Sequence, residues 1–600
     1  MRIPQATLEK AKTLAAAWQE EIGESRESEE KRFHEMMTKM LEDPLNKVFL
    51  IELLDQSFRA SDTDRVADQL EYIFSKHENS AFFSQIEQLL IWLFRHLGIY
   101  LSSLSVPLFI NYLRNDISAI VIKGEKSLLG KHIQRRRAEG TRVNINVIGE
   151  IVLGEREAEE RIQKYIRVLR NPDIDYLSIK ISTLFSQITP LAHAWSMEKI
   201  STALERIYRE AMSNTFIDHK GQKTYKFVNL DMEEYRDLRL TLDAFKHVLA
   251  KEEFKTLHAG IVLQAYLPDT LHHVKELVAW AKERIENDGS PIKIRLVKGA
   301  NQEMELTESS LRGWPCVTYL DKTETDANYK VIMDYLLDKE VAPYVHTGIA
   351  SHNLFDQALA YLIVKEKGLE EFYTAEMLEG MSEAAYHVLK NEKINVILYA
   401  PTATRETFTN AIAYLVRRFD ENTAEQNFLR HSFGLRVGSP AWKELLNSYD
   451  DALDTLPQLS LRPYRTQNRR DEIRKRVVDL DSYSFENESD TDFILSPNQV
   501  WAEKIRLKWK NISKSGGFHA CAVVAGREHK EGEKIEIIDK SQYHEKIIMG
   551  SYYKASQDDI KTAVKTAKDD IDGWGALDIQ QRQEILTVSY THLRAHETHN

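Results

Sequence analysis

Hydrophobic positions change their spacing near residue 140. Before it, apolar residues recur every three or four positions, as in Phe49, Leu53, Leu54 and Phe58, then Val66, Leu70, Ile73 and Phe74, with charges between them. That spacing predicts amphipathic helices with short breaks over residues 1 to about 135. From Arg142 onward, short β-rich runs alternate with helical stretches: VNINVIG from Val143, YLSIKIS from Tyr176, YKFVNLD from Tyr225, GIVLQAY from Gly260, IKIRLVKG from Ile292, APYVHT from Ala342, EFYTAEML from Glu371 and NVILYAP from Asn395. Eight such runs within roughly 280 residues predict an α/β fold, a parallel (βα)8 barrel of the TIM type. The expected layout is a helical arm and α-domain at 1–135, the barrel at 136–435, a connector at 436–498, a region of short strands and a helix at 499–586, and a tail at 587–600 that continues no apolar period.

In such barrels chemistry collects at the carboxyl ends of the strands. Those ends are expected to be Asn146, Lys180, Asp231, Gln264, Arg295 with Lys298, His346, Glu376 and Tyr399. A structural barrel does not need a polar residue at each buried end, since one without a partner costs ~1 to 3 kcal/mol. The segment Tyr399 to Asn422 adds an anion clamp. Pro401 is expected to break its strand, and Thr404 to cap a helix opened by Arg405, with Thr407 in reach. On that helix Tyr414, Arg417, Arg418 and Glu421 share one face. Adjacent guanidinium forks suit a carboxylate or phosphate; taken alone, they also read as a solvated helix end paired with Asp420 and Glu421.

Composition narrows the function classes. At 600 residues and 69.5 kDa, the chain exceeds one ordinary core. Its net charge of -12 argues against nucleic-acid binding. Two cysteines, Cys316 and Cys521, form neither a disulfide framework nor a four-cysteine metal site, which suits a reducing cytoplasm. The start, MRIPQATLEKAK, has no signal-peptide apolar core. Leu89 to Ile122 is the most apolar stretch, but Arg95, His96, Arg114 and Asp116 interrupt it, so no spanning segment is expected. GEKSLLGK at Gly124 misses the phosphate-loop spacing, and no GxGxxG follows a strand. Arg135, Arg136 and Arg137 read as solvated surface. His592, His596 and His599 read as part of a frayed tail, and no metal site is expected.

Ordered blocks along the barrel resemble the proline dehydrogenase family: NINVIGE at Asn144, SIKIS at Ser178, VNLDMEEY at Val228, LQAY at Leu263, RLVKGA at Arg295, TDANY at Thr325, ASHN at Ala350, and YAP followed by YLVRRFDEN. The resemblance spans roughly Met40 to Leu480, and the whole chain looks like the front of a bacterial proline utilization A protein, without the DNA-binding domain of the longest members. It implies FAD-dependent oxidation of L-proline to Δ1-pyrroline-5-carboxylate, with electrons passed to a membrane quinone. By block matching, Lys180, Arg417 and Arg418 hold the proline carboxylate, Tyr399 and Leu378 pack against its ring, and Asp231 and Asn146 support them. Asp231 equally reads as a buried acid paired with Lys180 or an arginine. Gln264 is implied at the isoalloxazine edge, Arg295 near N5, and Val297 and Gly299 along the backbone approach, with Lys298 and Ala300 in the same loop. Lys322, Thr325, His352, Asn353 and Glu421 are implied for the ribityl, phosphate and adenine parts.

Two positions depart from the family pattern. Asn301 stands where many relatives carry Tyr after RLVKGA, and Asn146 replaces a more familiar Asp. Residues 499–586 resemble the opening of an aldehyde dehydrogenase domain. Its catalytic Cys is expected several hundred residues further on, so that second activity is expected to be absent and the frame truncated. Any membrane contact is expected to be peripheral, and self-association is left open. Two other readings stand beside this one: a flavin-free lyase with Lys180 as Schiff-base nucleophile, and an inactive interaction scaffold.

Overall fold

The computed structural model describes residues 3–24, 39, 43–58, 60, 62–77, 84–118, 120–149, 152–218, 221–408, 411–412, 414–416, 418, 427–432, 434–470 and 488–599. The chain forms two compact units, residues 1–311 with 315–464, and residues 312–314 with 465–600.

The first unit opens with helices α1 (Gln5–Glu24), α2 (Pro44–Ser57), α3 (Thr63–Lys76), α4 (Gln85–His96) and α5 (Ser102–Asp116). Their starts are encoded locally. Asp43 and Asp62 accept hydrogen bonds from first-turn amides, and Ser84 with Glu87 forms a reciprocal capping box. The apolar stripes expected from the spacing meet in one cluster that includes Phe49, Leu53, Leu70, Ile73 and Val106 and continues onto Met381, Phe408 and Leu415 at the end of the barrel.

After β1 (Ile122–Lys123) and α6 (Lys126–Ala138) come the strands β2 (Arg142–Val147) and β3 (Tyr176–Ile179), a small hairpin β4 (Thr215–Ile217) and β5 (Lys223–Tyr225), then β6 (Phe227–Leu230), β7 (Gly260–Gln264), β8 (Ile292–Val297), β9 (Val345–Ala350), β10 (Tyr373–Leu378) and β11 (Val396–Ala403). β2, β3 and β6 to β11 pair in parallel in that order. The ring closes where β11 pairs with β2, from Ile397 opposite Arg142 to Thr402 opposite Val147. The eight expected strands are therefore the eight barrel strands. Between and after them lie α7 (Glu155–Leu169), α8 (His193–Ser213), α9 (Tyr235–Leu249), α10 (Thr270–Glu286), α11 (Gln302–Arg312), α12 (Lys322–Leu336), α13 (Leu354–Lys367), α14 (Glu383–Asn391), α15 (Phe428–Ser432) and α16 (Pro440–Thr455). α1 packs on α13 and α14, as an arm would, and α16 packs on α12. Trp442 and Tyr449 of α16 set their rings 5.0 and 5.5 Å from Phe355, within the segment expected as a connector.

Successive strand residues point to opposite faces. Leu177, Ile179, Val228, Leu230, Ile294 and Leu296 are fully buried, and between them in sequence stand Ser178, Asn229 and Arg295. All three of these polar side chains meet at Asp231, so this barrel carries a polar interior.

Four expectations need correction. Pro401 does not end its strand: β11 runs to Ala403, because pairing with β10 stops at Tyr399 while pairing with β2 continues, and a proline is tolerated where a ladder partner is missing. His346 is the second residue of β9, at its amino end, where its ring lies 4.8 Å from His258 and 5.4 Å from Phe372. Arg136 is buried, not solvated, and pairs with Glu379 and Glu383. The tail as far as His599 is helical, as the end of a helix that begins at Ile579 and that no Gly or Pro interrupts.

In the second unit, α17 (Ser496–Lys514) precedes β12 (Phe518–Ala520), a hairpin of β13 (Ala522–Val524) and β14 (Arg527–His529), then β15 (Lys534–Ile538) and β16 (Ile548–Tyr553). β16 pairs with β12 in parallel and with β15 in antiparallel fashion. α18 (Gln557–Asp569) and α19 (Ile579–His599) follow. The short strands and the amphipathic helix lie where the spacing placed them.

Candidate active site

The centre of the barrel interior is Asp231, the residue after β6. Its carboxylate accepts hydrogen bonds from Ser178 Oγ and Asn229 Nδ2, both at 3.0 Å, from Asn146 Nδ2 at 3.4 Å and from Tyr399 Oη at 2.7 Å. The Arg295 Nη1 lies 3.6 Å away. Of the two partners expected for Asp231, the structure places the arginine there; Lys180 pairs elsewhere. Arg295 also contacts Glu376 Oε2 through Nε at 2.9 Å, and its guanidinium lies 4.4 Å from the centre of the Tyr399 ring. Burial opposes the arginine's charge, but the carboxylates of Glu376 and Asp231 outweigh it, so its pKa is raised. Burial and the Asp231 charge push the Tyr399 phenol well up, which keeps it a neutral donor.

Glu376 further pairs with Lys293 Nζ at 2.6 Å. This crowding explains Gly348 on the neighbouring strand, where a Cβ would lie 2.2 Å from Glu376 Oε1. Only glycine leaves room for the buried pair.

Beside this centre, Lys180 follows β3 and pairs with Glu233, whose other oxygen accepts from Ser182 Oγ at 2.8 Å. Gln264, the last residue of β7, donates through Nε2 to the Glu233 carbonyl at 3.0 Å. Val297 ends β8, and its carbonyl accepts from Ala265 N at 2.8 Å. Lys298 reaches Asp326 at 2.6 Å and Asp356 at 2.8 Å. Burial opposes the Lys298 charge, and the two carboxylates overcome it. Lys322, the first residue of α12, pairs with Asp326, and Thr325 is buried one turn on. Gly299 has φ +129°, and a Cβ there would lie 2.4 Å from the Tyr266 ring, so the backbone turns tightly against that ring. Ala300 next to it is exposed, and Asn301 accepts from Glu305 N at 3.0 Å at the start of α11.

A fourth cluster lies where β10 ends. His352 Nε2 accepts a hydrogen bond from Leu378 N at 3.0 Å. Burial, and then the Arg418 charge, push the His352 pKa down to about 4, so the ring is neutral. Its Nδ1 is buried with no hydrogen-bond partner. Asn353 caps α13 through Phe355 N at 2.9 Å. Arg418 lies 5.0 Å from the centre of the Tyr414 ring, as their four-residue spacing requires. Arg417 and Glu421 lie outside the described residues.

Asn146, Asp231, Arg295 and Tyr399 thus form one contact network, and Lys180 and Gln264 share Glu233. Lys298 and Lys322 share Asp326. Sequence reasoning missed Glu233, Asp326 and Asp356; only their place in the DMEEY and TDANY blocks and after ASHN marked them. The residues present fit a flavin nucleotide: a buried imidazole nitrogen lacks a partner, two lysines stand on one rim, and a backbone turn is held open by glycine.

A closed parallel barrel with its polar groups at the carboxyl mouth defines a TIM-type (βα)8 protein. The family model for proline dehydrogenase matches residues 129–431, half of the chain, and the chain belongs to that family. Among solved structures, it is similar to proline utilization A from Corynebacterium freiburgense at 33% identity and a TM-score of 0.55, covering 71% of this chain and 39% of that one. The same protein from Bdellovibrio bacteriovorus, inactivated by N-propargylglycine, shares the fold over 97% of this chain and 57% of that one, at 23% identity and a TM-score of 0.72. A mutant of the Bradyrhizobium japonicum protein matches at 20% identity and a TM-score of 0.59, over 87% of this chain and 52% of that one. The chain therefore spans between 39% and 57% of the length of these structures. No curated protein sequence matches the chain.

Proposed function

We propose that the chain oxidises L-proline to Δ1-pyrroline-5-carboxylate with FAD as cofactor, and that a membrane quinone takes the electrons. The flavin, when bound, accepts the hydride lost from the ring carbon next to nitrogen. The observation that carries the site assignment is Arg295, a buried cation held by Asp231 and Glu376 against the Tyr399 ring. A fixed positive charge in a water-poor mouth stabilises negative charge that develops beside it and needs no rearrangement to do so.

The remaining residues bind and orient. Arg417, Arg418 and Lys180 are proposed to grip the proline carboxylate, with Glu233 holding Lys180 in place. Tyr399, fixed by its hydrogen bond to Asp231, and Leu378 form the wall that excludes water from the pyrrolidine ring. Gln264, Val297, Lys298, Gly299, Ala300, Lys322, Thr325, His352, Asn353 and Glu421 are proposed to hold the flavin nucleotide, with the His352 Nδ1–H free to donate to it. Asn301, where many relatives carry a tyrosine, is proposed to change turnover or the preference among proline and its analogues. We read residues 1–135 as arm and α-domain, 136–435 as the catalytic barrel, 436–498 as connector and 499–586 as part of an aldehyde-dehydrogenase-like segment, to which we assign no reaction. Among the described residues no single helix is long and apolar enough to cross a membrane, which suits a protein that meets its quinone at a membrane surface from the cytoplasm.

The test is the visible spectrum of the purified protein before and after anaerobic L-proline. A flavin band that bleaches supports the reading. A flavin band that does not bleach removes proline as substrate, and a folded protein that neither carries nor takes up flavin overturns the reading in favour of a flavin-free barrel enzyme. Arg295→Ala should slow bleaching at least tenfold while leaving the apparent proline affinity within about threefold, since an interaction made with developing charge lowers turnover more than binding.

A further inference from the structure

α4 and α5 leave an apolar face that none of the described residues of the first unit covers. Leu89, Trp92, Leu97, Tyr100, Leu101 and Leu104 are each more than half exposed, and Tyr100 reaches 84%. Soluble proteins seldom expose so many large apolar side chains side by side. From Gln88 through Asn115 the sequence holds no acidic residue, and its basic groups are Arg95, His96 and Arg114. Arg114 is buried against Glu125, and Arg95 is held by Ser75 Oγ at 2.9 Å. Between the two helices the packing stays open: a cavity of about 390 Å³ is lined by Phe74, Phe94, Leu108 and Phe109, with Glu87 and Tyr112 bonded to each other at 2.5 Å.

Length and hydropathy would let Glu87–His96 and Gly98–Asn115 pass together as a membrane segment, but they bend by 72° at Leu97. A bend of that size prevents a straight crossing and lays both helices along one surface. We infer that the α4–α5 elbow is a monotopic docking surface for a phospholipid bilayer, seated at the boundary of headgroups and acyl chains. The chemistry favours lipid over a protein partner. A protein interface sets a polar rim of hydrogen-bonding and charged groups around its apolar centre, whereas the elbow's apolar face carries Leu at its tip with Trp92 and Tyr100 alongside, the aromatic types that settle at headgroup depth. No acid stands from residue 88 to residue 115, and of the two that flank this stretch, Glu87 and Asp116, Glu87 accepts a hydrogen bond from Tyr112. The inference stands on this surface alone and needs no turnover at the barrel.

The experiment is co-sedimentation of the full chain with vesicles of phosphatidylcholine and phosphatidylglycerol, comparing the parent protein with the triple variant L97E/Y100E/L101E. All three side chains are exposed, so the variant keeps its core, and an unchanged far-UV spectrum and melting temperature confirm its folding. The parent should pellet with vesicles and the variant at least tenfold less. Failure of the parent to pellet, or equal pelleting of both, overturns the inference. Self-association of the parent without vesicles that the variant abolishes also overturns it and assigns the face to a second copy of the chain. A protein that pellets as expected but does not bleach with proline would sink the proposed reaction and leave the docking surface standing.

Discussion

In the first unit, Leu204, Leu263, Ile294 and Leu296 are fully removed from water; in the second, Leu507, Val523, Ile560 and Val564 are exposed although they sit on equally regular elements. Among the described residues beyond 464, Val524 is the one large apolar side chain that is buried, and it keeps 9% of its surface exposed. Both regions have the periodicity their elements require. α18 even carries a capping box, with Ser556 and Asp559 bonded reciprocally. The difference is that barrel strands and helices find facing apolar surfaces within their own unit. A helix gains most of its stability from packing one face, so periodicity alone forms elements without forming a core.

Three substitutions would break or sharpen that contrast. Arg136→Ala should have the largest effect, about 3 to 5 kcal/mol of lost stability, because it leaves Glu379 and Glu383 in the barrel periphery without their cation. A melting temperature within one degree of the parent would show that this buried network does not hold the first unit together. Next, Leu204→Ala should cost about 2 to 4 kcal/mol, and Val564→Ala in the second unit should stay within about 0.5 kcal/mol. Denaturant unfolding of both variants reads the contrast directly, and equal costs would mean that Val564 packs against a surface outside the described residues.

The last prediction is a gain, and it concerns pH. The Asp237 carboxyl is pushed up to about 7, first by burial, with Arg236 opposing. The folded protein thus keeps a proton that the unfolded chain releases near pH 4. That contribution is fully present below about pH 4 and is lost as pH rises through about 7. Asp237→Asn should flatten this decline and gain on the order of 1 to 3 kcal/mol at pH 8. An unchanged slope of stability between pH 4 and pH 8 would mean that Asp237 titrates as an ordinary surface acid.

Much of the site could be read without coordinates, for a local reason. Tyr399, Asp231, Gln264 and Arg295 stand in or at the ends of strands, and the period of two identifies strands from sequence alone. Other residues gave weaker signals because their roles depend on partners far along the chain. Arg136 looked like surface since a run of arginines usually is one; its partner Glu379 lies 243 positions away. Glu233 joins Lys180 to Gln264 only because β3, β6 and β7 stand side by side. His346 was misplaced by a few residues along its strand, which moved it from one end of the barrel to the other.

By itself, the sequence determined the element types, the eightfold alternation, the family and most of the polar residues at the barrel mouth, because periodicity, caps and ordered blocks are local. Tertiary structure decided which charges pair, that the barrel interior is polar, and which apolar side chains are covered and which, as on the elbow of α4 and α5, stay exposed among the described residues. Those outcomes depend on distances between residues that the chain brings together only when the ring of strands closes.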